Sequence, residues 1–551
     1  MYKIKKNSGM TPGRRNFLRA ESACAAILVG VGLAVLTPSA GHAYQLYSND
    51  GLEINLDTTL EYSNDFRVNG VSQNILNNAN ENDGDQNFQH GMTANTFSVV
   101  PSLNVKDGTF GMRVSGSAFI NTMYLQRNQN GSPLTLNNYN VDNRKFASGT
   151  VAEDGRYAEL LDAYAYDSYS FNSDGSNTVS LKVGRQVLMW GQSLFFAGDG
   201  IAGGMSPVNV NNAVTLINPQ AQQIFSPVGQ AVFTYQPNNW LTLQGYYQFQ
   251  WQPDLLPGSG SYFWNVDLLG GGSQRIVVAP GVYFGRGQDY TPAQENGQFG
   301  LSAQFQIGNY DWGLYGLRFD DKTPQIYLLP GVGANPADGT IGTYRVAYQR
   351  DIQLYGTSLS TTVGPVNVAG EISGRIHQDL VSNAVVMAPG MNTNSNPGYA
   401  YGDTLQAQVS AIYITPGLPL MPGGAAILGE FEYNDVLSVT NKRQLQPGRT
   451  PGATGLDVSF TPTYYNVLPN TNLSIPLGIQ WFPTGRSQFD PNMNAGTGTL
   501  NIGLQLVYDA VWQAGVNYQD YLGSTSLRSN GSSKQPLADR GNISFYIERT
   551  F

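Results

Sequence analysis

Cysteine is almost absent from this sequence. One of the 551 residues is a cysteine, Cys24, and it lies in an apolar stretch near the N-terminus. Its neighbourhood, with Glu21 three residues earlier, does not suit a lipoprotein site. The rest of the chain can therefore form no disulfide and carry out no thiol chemistry.

Histidine is scarce as well. Of three histidines, His42 lies in the N-terminal region, and we expect His90 and His377 in solvated outer loops. The sequence has no CxxC pair, no HExxH motif and no phosphate-binding glycine loop. Catalysis needs a nucleophile, a base and an orienting group that converge, and no such set is visible. We therefore expect a protein that is not an enzyme and uses neither metal nor cofactor.

A long hydrophobic run is also missing. The longest apolar stretch, residues 23–36, spans about 14 residues, whereas a membrane-spanning helix needs roughly 20. It follows a basic region that includes Arg14 and Arg15, and it precedes Gly41-His42-Ala43, which has small residues where signal peptidase cleaves. We interpret residues 1–43 as a signal peptide cleaved after Ala43. Arg14 and Arg15 also resemble a twin-arginine motif, an alternative that stays open.

Positive charge is in short supply after that cleavage site. The signal holds six of the 30 basic residues and one of the 39 acidic residues, which leaves 24 and 38, a net charge of −14. This balance argues against nucleic acid as a partner and against an anion-selective pore.

A strict alternation of apolar and polar residues is what the sequence does contain. From Leu52 to Val68 the even positions include Ile54, Leu56 and Leu60, and the odd positions include Glu53, Asp57 and Glu61. A period of two indicates a β-strand with one apolar and one ionic face. Similar segments recur at 96–106, 110–124, 157–170, 179–190, 229–236, 239–251, 299–307, 312–320, 344–359, 366–376, 404–415, 425–433, 456–465, 473–482, 500–508, 512–522 and 542–551.

The connections between these 18 segments alternate between short and long. Bacterial outer-membrane barrels have short periplasmic turns, long outer loops and an even number of strands. An open sheet of this size would leave unpaired edges that only closure removes. The chain also ends on an aromatic residue, Phe551, as barrel assembly signals do. We therefore predict an all-β fold for residues 44–551, a transmembrane antiparallel barrel of about 18 strands (16–20).

The stretch 190–227 is unusual for an outer loop, because it is apolar and nearly uncharged. We predict that it folds into the lumen as a constriction lined by Trp190, Phe195 and Phe196; packing over neighbouring loops is the alternative. By strand parity, acidic side chains should line the lumen and favour cations. They are Glu53, Asp57, Glu61, Glu371, Glu430 and Glu432.

Residues 82–87, in the first outer loop, have oxygen donors at alternate positions, as calcium loops do. No acid follows at the twelfth position, so we expect a solvated turn there; a calcium-binding loop is the alternative.

Several short motifs resemble a known family, the domain-of-unknown-function family 1302 of Gram-negative outer-membrane proteins. They are Asn82 to Phe88, Glu159 to Tyr164, Val183 to Ser193 and Gly297 to Gly300. Gln192 stands where the family has Glu. The resemblance implies an outer-membrane barrel whose gene lies near genes for degradation of hydrophobic compounds, or near a periplasmic partner protein and an inner-membrane pump.

Taken together, these patterns predict passive passage of small or medium hydrophobic molecules across the outer membrane. Two alternatives remain: the outer-membrane component of a trans-envelope transport system with an inner-membrane pump, and a surface adhesion or structural barrel. The expected partners are outer-membrane lipid and lipopolysaccharide, the barrel assembly machinery and a periplasmic protein. An energised receptor is disfavoured, because the first strand begins about nine residues after the cleavage site and leaves no room for a plug domain.

Overall fold

The computed structural model describes residues 44–49, 51–139, 142–290, 296–528 and 531–551. The predicted signal peptide, 1–43, lies outside the described residues. The described residues form 18 barrel strands, β1 to β18. Their bounds are Leu52–Arg67, Gly91–Asp107, Phe110–Asn121, Arg156–Ser170, Thr178–Gln186, Val228–Asn238, Leu241–Gln248, Gln298–Ile307, Tyr310–Phe319, Ile352–Val363, Val366–Asp379, Tyr401–Thr415, Ala425–Val436, Ala453–Leu468, Thr471–Ser474 continued by Leu477–Thr484 (β15), Thr497–Tyr508, Trp512–Leu522 and Asn542–Thr550.

The sheet closes on itself. Each strand pairs antiparallel with the next, and β1 pairs both with β2, where Leu60 is opposite Val99, and with β18, where Leu60 is opposite Arg549. A further strand, Tyr44–Asn49, pairs with the beginning of β1. Closure satisfies the backbone hydrogen bonds that an open edge would leave unpaired. The predicted 18-stranded barrel is therefore confirmed.

The two faces of the wall differ as the alternation predicts. In β1, Tyr62 is 45% exposed, whereas its neighbours Glu61 and Ser63 are 6% and 3% exposed. A lipid-facing apolar band on a polar interior is the pattern of a transmembrane barrel. Other exposed apolar side chains on this outer face include Phe97, Leu160, Leu301, Ile372, Val409, Phe431, Leu504 and Phe545.

Exposed aromatic side chains gather near the short turns that join the strands at one end of the barrel. These turns are as brief as residues 108–109, 308–309 and 364–365. Aromatic rings favour the interface between lipid and water, so they mark one membrane boundary. They include Tyr169, Phe171, Trp240, Tyr310, Tyr465 and Tyr508.

The long loops at the other end build a second, five-stranded sheet. Its strands are Arg275–Ala279, Val282–Arg286, Gln325–Pro330, Thr340–Ala347 and Val385–Val386. The predicted strand 344–359 is therefore wrong, because its first residues belong to this outer sheet and its last to β10. The chain turns between the two at Asp351, which has a left-handed φ of 60°. The predicted strand 179–190 is also too long, since β5 ends at Gln186.

The helices in the described part of the chain are short and lie in the connections between strands. The α-helices are Gln73–Leu76, Asp83–Asn87, Ser148–Thr150, Val210–Thr215 and Ala221–Ile224, with 3-10 helices at Thr122–Leu125, Ile201–Gly204 and Lys442–Gln444 and a π-helix at Val151–Gly155. Among the described residues, none of these helices has the length and apolar character to cross a membrane.

Candidate functional site

The β5–β6 loop, residues 187–227, contacts opposite walls of the barrel. Glu159 of β4 accepts hydrogen bonds from the side-chain amides of Asn209 and Asn212, each at 3.2 Å. Glu430 of β13 accepts one from the backbone N–H of Leu194 at 3.0 Å. Strands β4 and β13 are nine positions apart in the ring of 18, so they face each other across the lumen. A single loop can reach both carboxylates only from inside the barrel.

Two wall carboxylates hold the first half of this loop by its backbone. Glu371 of β11 accepts hydrogen bonds from the N–H groups of Gln192, Ser193 and Ile201. Glu430 accepts hydrogen bonds from Leu194, Phe195 and Phe196 in the same way. Hydrogen bonds to an ionised acceptor are about twice as strong as neutral ones, so each carboxylate clamps a short stretch of chain.

Glycines allow the loop to approach these carboxylates. Gly191 has a φ of +101°, and a side chain there would overlap the Glu371 carboxylate. A side chain on Gly200 would meet the same carboxylate. The glycine-rich composition of this loop is therefore partly explained by the close approach of its backbone to Glu371.

Trp190 anchors the loop on the wall formed by β6 to β10. Its indole N–H donates to Gln244 Oε1 at 2.6 Å, and its ring packs on Tyr246 and Tyr315. Trp190 is 4% exposed, so it is buried against the wall. The same apolar cluster contains Ile201, Met205, Val232, Leu317, Phe319, Ile352 and Leu354.

Wall glycines make room for these loop side chains. A side chain on Gly300 of β8 would meet the Trp190 ring, and one on Gly356 of β10 would meet Ile201. A side chain on Gly455 of β14 would meet the ring of Phe196. The wall and the loop are thus shaped to fit each other at three separate strands.

Phe195 and Phe196 point to different surroundings. Phe196 is 8% exposed and packs on Ala453, Phe482 and Met493. Phe195 is half-buried and borders both this cluster and the one that Leu194 forms with Leu428 of β13.

Polar side chains hold the second half of the loop on the remaining wall. The side chains of Asn218, Gln220 and Gln223 donate to Glu548 of β18, Thr59 of β1 and Ser117 of β3 at 2.9, 3.0 and 3.1 Å. Gln220 and Gln223 also cap the short helix Ala221–Ile224 through a reciprocal pair of bonds. The loop therefore attaches to the wall around the whole ring.

The other predicted lumen acids lie at different depths. Glu53, near the start of β1, is exposed and is opposite Lys106 of β2. Asp57 is half-buried and accepts a hydrogen bond from Asn104 at 3.3 Å. Glu61 is buried at 6% exposure, and Glu432 of β13 is fully buried at 0%. The structure brings Glu430 to the loop backbone, whereas Glu53 and Asp57 lie near the first residues of β1, away from the loop contacts described above.

Residues 82–87 do not form the expected solvated turn. Asp83–Asn87 is a short helix in which Asp83 and Asp85 are fully buried. Asp85 forms ion pairs with Arg67 of β1 at 2.8 Å and with Arg540 of the last outer loop at 3.0 Å. Arg67 and Arg540, both distant in sequence, compensate the buried charge of Asp85, so the carboxylate needs neither solvent nor a calcium ion. A local motif gives no signal for partners this far away.

Within the described ranges, no three His, Cys, Asp or Glu side chains are placed to hold a metal ion. The geometry instead provides a barrel whose lumen is crossed by a loop fixed to the wall.

Among solved structures, the fold is similar to Acinetobacter baumannii OccAB1 (TM-score 0.43, 10% identity, 92% of this chain and 99% of that chain covered). Pseudomonas aeruginosa OccK9 (OpdG) gives a TM-score of 0.40 at 10% identity, with 90% and 97% covered. Salmonella typhi OmpF, in complex with daunomycin, gives 0.35 at 9% identity, with 92% and 99% covered. No curated protein is significantly similar in sequence. The family model described as "Protein of unknown function (DUF1302)" matches residues 23–551, nearly the entire sequence, and the chain belongs to that family.

Proposed function

We propose that this protein is an outer-membrane channel for the passive passage of small or medium hydrophobic molecules. The apolar outer face and the aromatic boundary of the barrel suit a lipid bilayer, and a long loop crosses its lumen. In this proposal residues 1–43 are removed on export, and the mature barrel lies among the lipid and lipopolysaccharide of the outer membrane.

The observation that carries the proposal is the apolar contact between the β5–β6 loop and the wall. Beside the hydrogen-bonded anchors at Glu371 and Glu430, the loop meets the wall through three apolar clusters, around Trp190, Leu194 and Phe196. An apolar solute can replace such contacts at little cost, because it offers the same kind of surface. A hydrated ion would have to give up its water, and an apolar constriction therefore hinders it.

In this mechanism a solute passes by displacing the contacts that Trp190, Phe195 and Phe196 make between the loop and the wall. The exposed Glu53 and the half-buried Asp57 line the aqueous part of the path and favour any cation that enters over an anion. Reversal potentials measured in a salt gradient would test that part of the proposal, since a preference for anions contradicts it.

Swelling of liposomes that contain the purified protein tests the function. Removal of residues 197–217 should raise the ion conductance and reduce discrimination between aromatic or aliphatic solutes and sugars of similar size. The matched control removes residues 332–338, the exposed tip between two strands of the outer sheet, and should change neither. If the folded 197–217 deletion leaves both quantities unchanged, the loop does not control passage and the proposal is wrong.

A further inference from the structure

Three arginines from three different outer loops lie together beyond the ends of β13 to β18. Arg449 and Arg486 both donate to the side-chain oxygen of Gln446, at 2.7 and 2.8 Å. Arg486 and Arg528 both donate to the side-chain oxygen of Asn494, at 3.1 and 3.3 Å. Two neutral amides thus link three positive charges, and we call Arg449, Arg486 and Arg528 the arginine triad.

The triad has no acidic counter-charge in contact. In the part of the chain that the structure describes, none of its members forms a salt bridge. Asp490 attracts the charge of Arg449, and Glu81 attracts that of Arg528, without forming a salt bridge. Burial raises the pKa of Asp490 and of Glu81 to about 7, so it disfavours the charged form of both carboxyl groups.

Bringing these arginines together has an electrostatic cost. Burial, and then the nearby charge of Arg486, lowers the pKa of Arg449 to about 9 and that of Arg528 to about 10. Like charges at short range destabilise each other unless an opposite charge is present. A bound anion would supply that charge.

The triad also keeps N–H groups available. Three guanidinium groups carry fifteen N–H donors. Backbone and amide oxygens of the described residues take four from Arg449, three from Arg486 and three from Arg528, which leaves five. All three side chains are partly exposed, so these donors can reach a solute.

We propose that the arginine triad binds an anionic group, a phosphate or a carboxylate, among the long loops at the end of the barrel. Guanidinium groups bind the oxygens of such groups in pairs, and their planar fork suits that geometry. The surrounding loops hold the three groups in place through neutral acceptors, so the site is preformed. The anion comes either from a lipid headgroup of the outer leaflet or from a soluble molecule.

Calorimetric titration of the full-length protein in a neutral detergent tests the site, with inorganic phosphate as the soluble probe. Vesicles that contain lipid A, with and without its phosphates, are the lipid probe. Arg486→Gln should weaken binding of the effective probe by about tenfold or more, because Arg486 joins the two halves of the triad. Arg443→Gln, an exposed arginine in the same outer region, is the matched control and should bind as the natural protein does.

The two probes separate the sources of the anion. Binding of free phosphate without preference for phosphorylated vesicles assigns a soluble ligand. Preference for phosphorylated vesicles without binding of free phosphate assigns a lipid headgroup. If Arg486→Gln fails to fold, Arg528→Gln replaces it, and the rise of the natural protein's melting temperature in phosphate over chloride at equal ionic strength gives a second readout. The proposal is overturned if neither probe binds the natural protein, or if the folded variants bind as tightly as it does.

Discussion

The carboxylate of Glu371 occupies the space that a side chain on Gly191 would need. Gly191 has a φ of +101°, and the next two residues, Gln192 and Ser193, donate their N–H groups to that carboxylate. The turn that starts the crossing of the lumen therefore depends on a glycine in the loop and a glutamate on the wall.

Gly191→Ala should release this end of the loop. A methyl group there is strained by the positive φ and displaces Glu371, which removes up to three charge-assisted hydrogen bonds. We expect larger and noisier single-channel conductance in planar bilayers from a barrel that remains folded. Gly198→Ala is the control, because a side chain on Gly198 meets nothing within 4 Å. Equal conductance in both variants would show that the turn at Gly191 does not position the loop.

Glu430→Gln should loosen the loop at its second clamp. The amide has one acceptor oxygen. The carboxylate has two, which accept hydrogen bonds from the N–H groups of Leu194, Phe195 and Phe196. The loss is about 1–3 kcal/mol of attachment. We expect a higher rate of conductance fluctuations. Glu53→Gln makes the same chemical change at an exposed position of β1 and should not alter them. An unchanged noise spectrum in Glu430→Gln would rule out this clamp as a control point.

Most of the barrel could be predicted from the sequence, because lipid and lumen impose opposite demands on alternate residues. The alternation failed where two strands of different sheets follow each other. Residues on both sides of Asp351 alternate in the same way, so only its left-handed backbone separates Thr340–Ala347 from β10. Periodicity reports that a strand is half-buried, and it does not report which sheet the strand joins.

The attachments of the β5–β6 loop could not be predicted. Its apolar composition indicated burial, but the partners of Gln192 and Leu194 are 179 and 236 residues away in sequence. Glu371 and Glu430 appeared only as lumen-facing acids, and nothing local distinguishes an acid that binds backbone N–H groups from one that faces water. The burial of Asp85 was missed for the same reason, since its arginine partners come from the first and last parts of the barrel.

Arg540→Met should destabilise the outer loops strongly. Arg540 is fully buried and shares Asp85 with Arg67, so its removal leaves one buried carboxylate with half of its compensation. Breaking a buried ion pair costs about 3–5 kcal/mol. Arg127→Met is the control, because the Arg127–Asp142 pair is exposed and worth at most about 1 kcal/mol. Denaturant unfolding followed by tryptophan fluorescence measures both. If Arg540→Met lowers the free energy of unfolding no more than Arg127→Met does, Arg540 is not needed as the counter-charge of Asp85.

Packing of the outer loops should weaken as the pH rises from about 4 to above 6. Burial raises the pKa of Asp267 to about 6, and burial together with the charge of Asp267 raises that of Asp83 well above its usual range. The two residues are in direct contact, since the N–H of Asp83 donates to the Asp267 carboxylate at 2.8 Å. An acid whose folded pKa is raised binds its proton more tightly in the folded state. Its contribution to the free energy of unfolding is therefore fully present below the pKa of the unfolded state and is lost as the pH rises through the pKa of the folded state.

Hydrogen–deuterium exchange of residues 83–87 and 258–267, corrected for the intrinsic effect of pH, measures this change. We expect protection to fall by about 1–3 kcal/mol between pH 4 and pH 8. Asp83→Asn should flatten the profile, because the amide removes one charge and still has an oxygen that accepts the N–H of Asn137. Asp338→Asn, at a fully exposed aspartate of the outer sheet, should leave the slope unchanged. Protection that rises with pH would reverse the sign and show that the arginines near this pair, Arg275 and Arg540, outweigh the burial of the two carboxyl groups.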